Sequence, residues 1–66
     1  NMNLLHASFG KTGANPDGDV VFMVLYYANQ QGTSTAAVLT MPNDPTACLL
    51  FVTFDVTLAP EKKQNF

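Results

Sequence analysis

Arginine and tryptophan are missing from this 66-residue chain, cysteine and histidine occur once each, and charged residues make up only 12% of it. Without arginine there is no planar fork to grip phosphate or guanine, and the lysines at 11, 62 and 63 form no basic stripe. No direct nucleic-acid contact is therefore expected. A lone cysteine excludes an internal disulfide and a four-ligand zinc module. No apolar run approaches the ~18 residues that span a bilayer as a helix, so no membrane helix is expected. The opening Asn1-Met2-Asn3-Leu4-Leu5-His6 lacks the basic start and long apolar middle of a signal peptide, and beginning on asparagine suits a segment of a longer precursor. Disorder is excluded as well, because 47% hydrophobic residues and a net charge of −2 are the reverse of what keeps a chain unfolded.

What is present is β-like. Glycine and proline divide the chain into four runs, over 2–9, 19–28, 34–41 and 47–58, followed by a polar tail over 59–66, and none shows a helical apolar stripe. The second run alternates Val20, Phe22, Val24 and Tyr26 with Val21, Met23, Leu25 and Tyr27, so both of its faces are apolar. The third run is built of smaller residues, suited to a crowded or edge position. Met41-Pro42-Asn43-Asp44-Pro45 ends it, since two prolines remove two ladder donors. The fourth run places Cys48, Leu50, Val52, Phe54, Val56 and Leu58 on one face against Thr53, Asp55 and Thr57, although Leu49 and Phe51 interrupt the polar row. Gly32 in Asn29-Gln30-Gln31-Gly32-Thr33 is the expected positive-φ turn position.

Four strands forming one sheet cover only one face each, whereas these ask for cover on both. A short chain with no disulfide seldom offsets its folding entropy from one small core. The expected fold class is thus all-β, an antiparallel β-sandwich to which this single segment contributes and which another segment or chain completes; an independent small barrel is the rival. Either Val24→Asp or Leu25→Asp is expected to abolish soluble assembly by burying a lone charge. The stretch from Leu49 to Phe54 is apolar and β-prone enough to aggregate when exposed.

Chemistry-bearing residues are few. Gly10-Lys11-Thr12 has the ending of a phosphate-binding loop, but Leu5 stands where that motif needs its first glycine, so an exposed turn is expected. Asn15, Asp17 and Asp19 put oxygens at alternate loop positions, which suits either an Asx turn or a calcium site shared between subunits, with Asp44 as a further ligand from elsewhere. His6 and Cys48 have the chemistry of a nucleophile and base, yet nothing places them together; a part-buried histidine and a packed, inert thiol are expected. Asp55 lacks a second acid spaced for acid–base work, and Tyr26-Tyr27 reads as packing or as a stacking platform. No enzyme is expected, and no Asn-x-Ser/Thr sequon occurs.

The segment Ala47-Cys48-Leu49-Leu50-Phe51-Val52-Thr53-Phe54-Asp55-Val56-Thr57-Leu58-Ala59-Pro60 resembles the closing strand of the jelly-roll coat proteins of small icosahedral RNA viruses, where an aromatic-rich strand runs into a proline and a short tail. The strands over 19–27 and 33–41 are similar to the C-terminal half of such a domain. The resemblance implies a structural capsid role in a virion shell, other copies or segments of the coat protein as obligate partners, and calcium between subunits, for which Asn15, Asp17 and Asp19 are the candidates. The family's basic RNA-binding arm has no counterpart in these residues. The alternative reading is a binding or adhesion module working by strand exchange or edge pairing.

Overall fold

A computed structural model describes residues 1–57. The calls on the strand end at Leu58, on Pro60 and on the polar tail over 59–66 lie outside the described residues. The fold is all-β, with one 3-10 turn besides its strands. Strands β1 (Met2–Lys11), β2 (Val20–Asn29), β3 (Thr35–Met41) and β4 (Asp44–Thr53) form one antiparallel sheet in the order β1-β2-β3-β4. That order is a meander. In a Greek key the fourth strand returns beside the first, whereas here β4 and β1 are opposite edges, so a jelly roll that included this sheet would draw its crossovers from outside residues 1–57.

Local chemistry explains each connection. Between β1 and β2 a 3-10 turn covers Thr12–Ala14, with Gly13 at φ 65°, and the loop is tied by Thr12 N–H donating to the Asp19 carbonyl at 3.0 Å. At the β2–β3 turn Gly32 takes φ 72° as expected, and the Asn29 carboxamide fastens the loop, accepting from the Thr33 N–H at 2.8 Å and the Ser34 N–H at 3.2 Å. Its amide group also donates to the Thr33 hydroxyl at 2.9 Å. Between β3 and β4 lies only Pro42-Asn43. Proline cannot take the positive φ of the tight hairpin turn that matches strand twist, and the pairing adjusts by a register shift between Thr40 and Met41. The Asp44 carboxylate then holds the start of β4 by accepting from the Thr46 N–H at 2.9 Å and hydroxyl at 2.7 Å.

Three expected boundaries move by two residues or more. Strand β4 begins at Asp44 and contains Pro45, which an outermost strand tolerates on its unpaired side. It ends at Thr53: Asp55 bends the chain at φ 56°, and the Val56 N–H donates to the Thr33 carbonyl at 3.0 Å, drawing the segment back over the β2–β3 turn. Asp55 is therefore not the mid-strand residue the alternation predicted. Strand β1 runs on to Lys11 because β2 pairs with it to that point.

Residues opposite one another in an antiparallel ladder share a face, so the register sorts the side chains. One face carries Met2, Leu4, Ala7, Phe9 and Lys11 of β1, Val20, Met23, Leu25, Tyr27 and Asn29 of β2, Ala36, Val38 and Thr40 of β3, and Ala47, Leu49 and Val52 of β4. The other carries Asn3, His6, Ser8 and Gly10, then Phe22, Val24, Tyr26 and Ala28, then Thr35, Ala37 and Leu39, and last Cys48, Phe51 and Thr53. Except at Val20, which an irregularity at Val21 moves to the first face with Lys11, the split expected within β2 and β3 is observed. In β4 it is not. The pairings Ala37↔Phe51 and Val38↔Leu49 leave Leu50 as an extra residue, and this bulge shifts the alternation by one, moving Val52 to the face opposite Cys48. A second bulge, at Leu5, does the same in β1 between Leu4↔Tyr27 and His6↔Tyr26.

The buried interior is small. Among the described residues only Ala28, Ser34, Ala36 and Ala37 are buried, and Ala37, completely covered, lies on β3, an inner strand where short residues fit between the flanking strands' side chains. Leu4, Phe9, Leu49, Phe51 and Val52 are exposed. The structure is one layer, 15 Å across its thinnest direction.

Candidate interaction surface

The first face holds one charged residue among its paired positions, Lys11 at the end of β1, whose ammonium donates to the Pro16 carbonyl at 3.0 Å. Its other polar members, Asn29 and Thr40, lie toward opposite ends of the ladder, and the Asn29 side chain is already engaged by Thr33 and Ser34. The centre is Leu25 paired with Val38 and Tyr27 paired with Ala36, flanked by Leu4 on β1 and by Leu49 and Val52 on β4. An apolar row four strands wide is the kind of surface that packs on a second sheet about 10 Å away. We call it the apolar face.

The second face is mixed. His6 stacks on Tyr26, ring centroids 4.6 Å apart and tilted by 32°. The Phe22 ring lies over Gly10, where an added Cβ would come within 2.1 Å of it, so glycine provides the space the ring occupies. Thr35 and Thr53 join hydroxyls across β3 and β4, and the Ser34 hydroxyl donates to the Thr53 carbonyl at 2.7 Å. Polar side chains thus line the β1 flank and the Thr35–Thr53 end of this face, with aromatics between them.

His6 and Cys48 share the mixed face but stand on opposite edge strands, three inter-strand steps of about 4.8 Å apart, too far for a nucleophile and its base. Both are exposed, which corrects the expected part-buried histidine and packed thiol; the physical reason is that no second layer covers either edge strand in the described sheet. Tyr26 and Tyr27 point to opposite faces, so they form no joint stacking platform.

In the β1–β2 loop the Asn15 side-chain oxygen accepts from the Asp17 N–H at 3.1 Å, an Asx turn. The Asn15 and Asp19 carbonyls accept from the Gly18 and Thr12 N–H groups, and the Lys11 ammonium donates to the Pro16 carbonyl at 3.0 Å. The three candidate calcium ligands thus belong to a loop whose backbone oxygens are largely engaged, with a lysine beside them. Among the described residues no group of three or more His, Cys, Asp or Glu is placed to hold a metal ion. A shallow, open depression of about 500 Å³ lies against this loop between Phe9, Lys11, Pro16 and Phe22, and its lining offers neither an acid pair nor a nucleophile. Among the described residues no helix is long and apolar enough to cross a membrane.

Hydrogen bonding perturbs the Asp44 carboxylate. Asp44 is held below the usual aspartate range by its bonds from the Thr46 hydroxyl and, next, the Thr46 N–H. It fastens a strand end and faces no second acid. No family model matches the chain, and no curated protein or solved structure shows significant similarity to it.

Sequence reasoning missed the two bulges and, with them, the continuity of the apolar face. The signal was present at Leu49-Leu50-Phe51, where consecutive large apolar residues break a strand alternation. Such a break marks either a strand covered on both sides or an inserted residue, and here it is the inserted residue.

Proposed function

We propose that this chain is a structural sheet of a larger β-sandwich assembly, non-catalytic, with other copies or segments of the same protein covering it. A capsid shell is the form of assembly that the closing-strand resemblance suggests. One observation carries the proposal: the sheet is a single layer whose large apolar side chains, Leu4, Phe9, Leu49 and Val52 among them, lie exposed while only small residues are buried. Exposed apolar surface of that extent belongs to interfaces rather than to free monomers. The meander order does not itself build a jelly roll, so the proposal rests on sheet-on-sheet packing and takes only the shell from the resemblance.

Native mass spectrometry of the protein from its source tests the reading. A chain found only within a defined larger particle supports it, and in that particle Leu25→Asp abolishes assembly. A stable, folded 7 kDa monomer refutes it. A strand-exchange or adhesion module has one observation in its favour: β4 pairs with β3 alone, leaving its other edge open and every one of its residues exposed. That module would bind one partner along β4 without forming a closed particle.

A further inference from the structure

We infer that the apolar face is covered by the same face of a second copy across a two-fold axis, giving an eight-stranded sandwich of two chains. The inference rests on the assembly reading and names its partner, its surface and its symmetry. Three observations carry it.

The first is charge. A two-fold contact brings each patch against itself, so any charge on it meets its own sign. The one charge among the paired positions of the apolar face, Lys11, sits at the end of β1 and is turned onto the Pro16 carbonyl of its own loop, so the centre of the face, from Leu4 across Leu25 and Val38 to Leu49, is uncharged and needs no complementary partner. The mixed face carries His6 and the polar Asn3, Ser8, Thr35 and Thr53.

The second is area. Four strands about 4.8 Å apart and roughly 33 Å long present a flat footprint of about 600 Å², or about 1,200 Å² over two copies before side-chain relief is added. That is the threshold from which stable protein–protein interfaces begin, at about 1,200 Å² in total.

The third is that the edges are blunted. The inner β2–β3 pairing runs without a register shift, whereas the outer strand β1 carries the bulge at Leu5, and the outer strand β4 carries the bulge at Leu50, a second irregularity opposite Thr40 and Met41, and Pro45. Bulges and proline on outer strands are the devices that disfavour edge-to-edge pairing, which leaves the face as the open surface.

Leu49 and Phe51 test this on the whole chain, because they sit on the same strand with opposite faces and are both solvent-exposed in one sheet, at 64% and 48%. Sedimentation equilibrium and circular dichroism are run on the wild type, Leu49→Lys, Phe51→Lys and, from the far side of the apolar face, Leu4→Lys. The expected result is a wild-type dimer that Phe51→Lys preserves, while Leu49→Lys and Leu4→Lys each raise its dissociation constant at least about a hundredfold through an unpaired buried charge. Should Leu49→Lys prevent folding, Leu4→Lys decides alone. A dimer lost only with Phe51→Lys places the contact on the mixed face, and one that survives every variant places it on an edge. Both overturn this inference and leave the assembly reading standing, as does a wild type that folds only with another segment present. A folded wild-type monomer overturns both.

Discussion

Replacing Asn29 by alanine removes the side chain that fastens the β2–β3 turn, and the cost can be worked from its partners. Its oxygen accepts from two backbone N–H groups, at Thr33 and Ser34, and its amide donates to the Thr33 hydroxyl. Thr33 is exposed, so water replaces what it loses at little cost. Ser34 is 8% exposed and its N–H has no such replacement; a buried donor left unmatched costs about 1–3 kcal/mol. The sum is about 2 kcal/mol, near 30-fold in the folding equilibrium. Asn29→Asp keeps the acceptor and loses only the donor to an exposed hydroxyl that can turn and donate instead, so its cost is about 0.5 kcal/mol at neutral pH. Gln30→Ala, one residue on and exposed, serves as the neutral control. Denaturant unfolding of the protein in its native assembly state gives the free energies, and amide exchange at Ser34 gives the local opening. The reasoning is refuted if Asn29→Ala and Gln30→Ala unfold at the same midpoint, or if Ser34 exchange is unchanged, because the turn would then be held by Gly32 and strand pairing alone.

Two further perturbations probe the sheet. Gly10→Ala drives a Cβ into the Phe22 ring and forces the ring aside, costing about 1–2 kcal/mol of overpacking; the Phe22 ring proton shifts report the movement, and an unmoved ring contradicts the close approach. The Asp44 carboxyl, held low by Thr46, contributes stability that is present above the ordinary aspartate range and is lost as pH falls through its depressed value; in Thr46→Val its NMR titration midpoint moves back toward 3.8, and no movement refutes the hydroxyl bond.

Strand existence and type were legible in the residues because alternation over several positions and glycine or proline punctuation both act locally. Phe22, Val24 and Tyr26 fall on one face and Met23, Leu25 and Tyr27 on the other, as the period of two requires. The ends of β4 were not legible. Pro45 has the composition of a loop, and only its place on an outermost strand makes it tolerable; Asp55 fits an alternating polar row, and only the hydrogen bond from Val56 to Thr33 shows the chain turning away before it. Burial of Cys48 was inferred from its neighbours' hydrophobicity, which specifies a wish for cover and not the identity of the cover. Local sequence thus describes how each strand presents itself, while the candidate surface depends on register across strands, which a single strand's pattern does not contain.

Deleting Leu50 separates those two levels. If β4 were the plain alternating strand its sequence describes, removing one residue would invert every side chain beyond the cut and move Phe51 and Thr53 to the other face, breaking the Thr35–Thr53 hydroxyl contact and the Ala37 packing together. In the bulged register, Leu50 is opposite no residue, so its deletion leaves Cys48↔Leu39, Leu49↔Val38, Phe51↔Ala37 and Val52↔Ala36 all in place. The deletion variant should therefore keep its sheet and its apolar face and lose only the local twist that a bulge adds. Deleting Phe51 instead, in a regular part of the strand, requires Leu50 to leave the bulge and take over its pairing with Ala37, keeping alternation but putting leucine over the fully buried alanine. The Leu50 deletion is thus the milder of the two, read as the smaller loss of β circular dichroism and of assembled species in sedimentation. Loss of the sheet or of the Thr35–Thr53 contact on removing Leu50, measured against the wild type, would mean that the residue is paired, and with it would fall both the bulge and the continuous apolar face that the bulge creates.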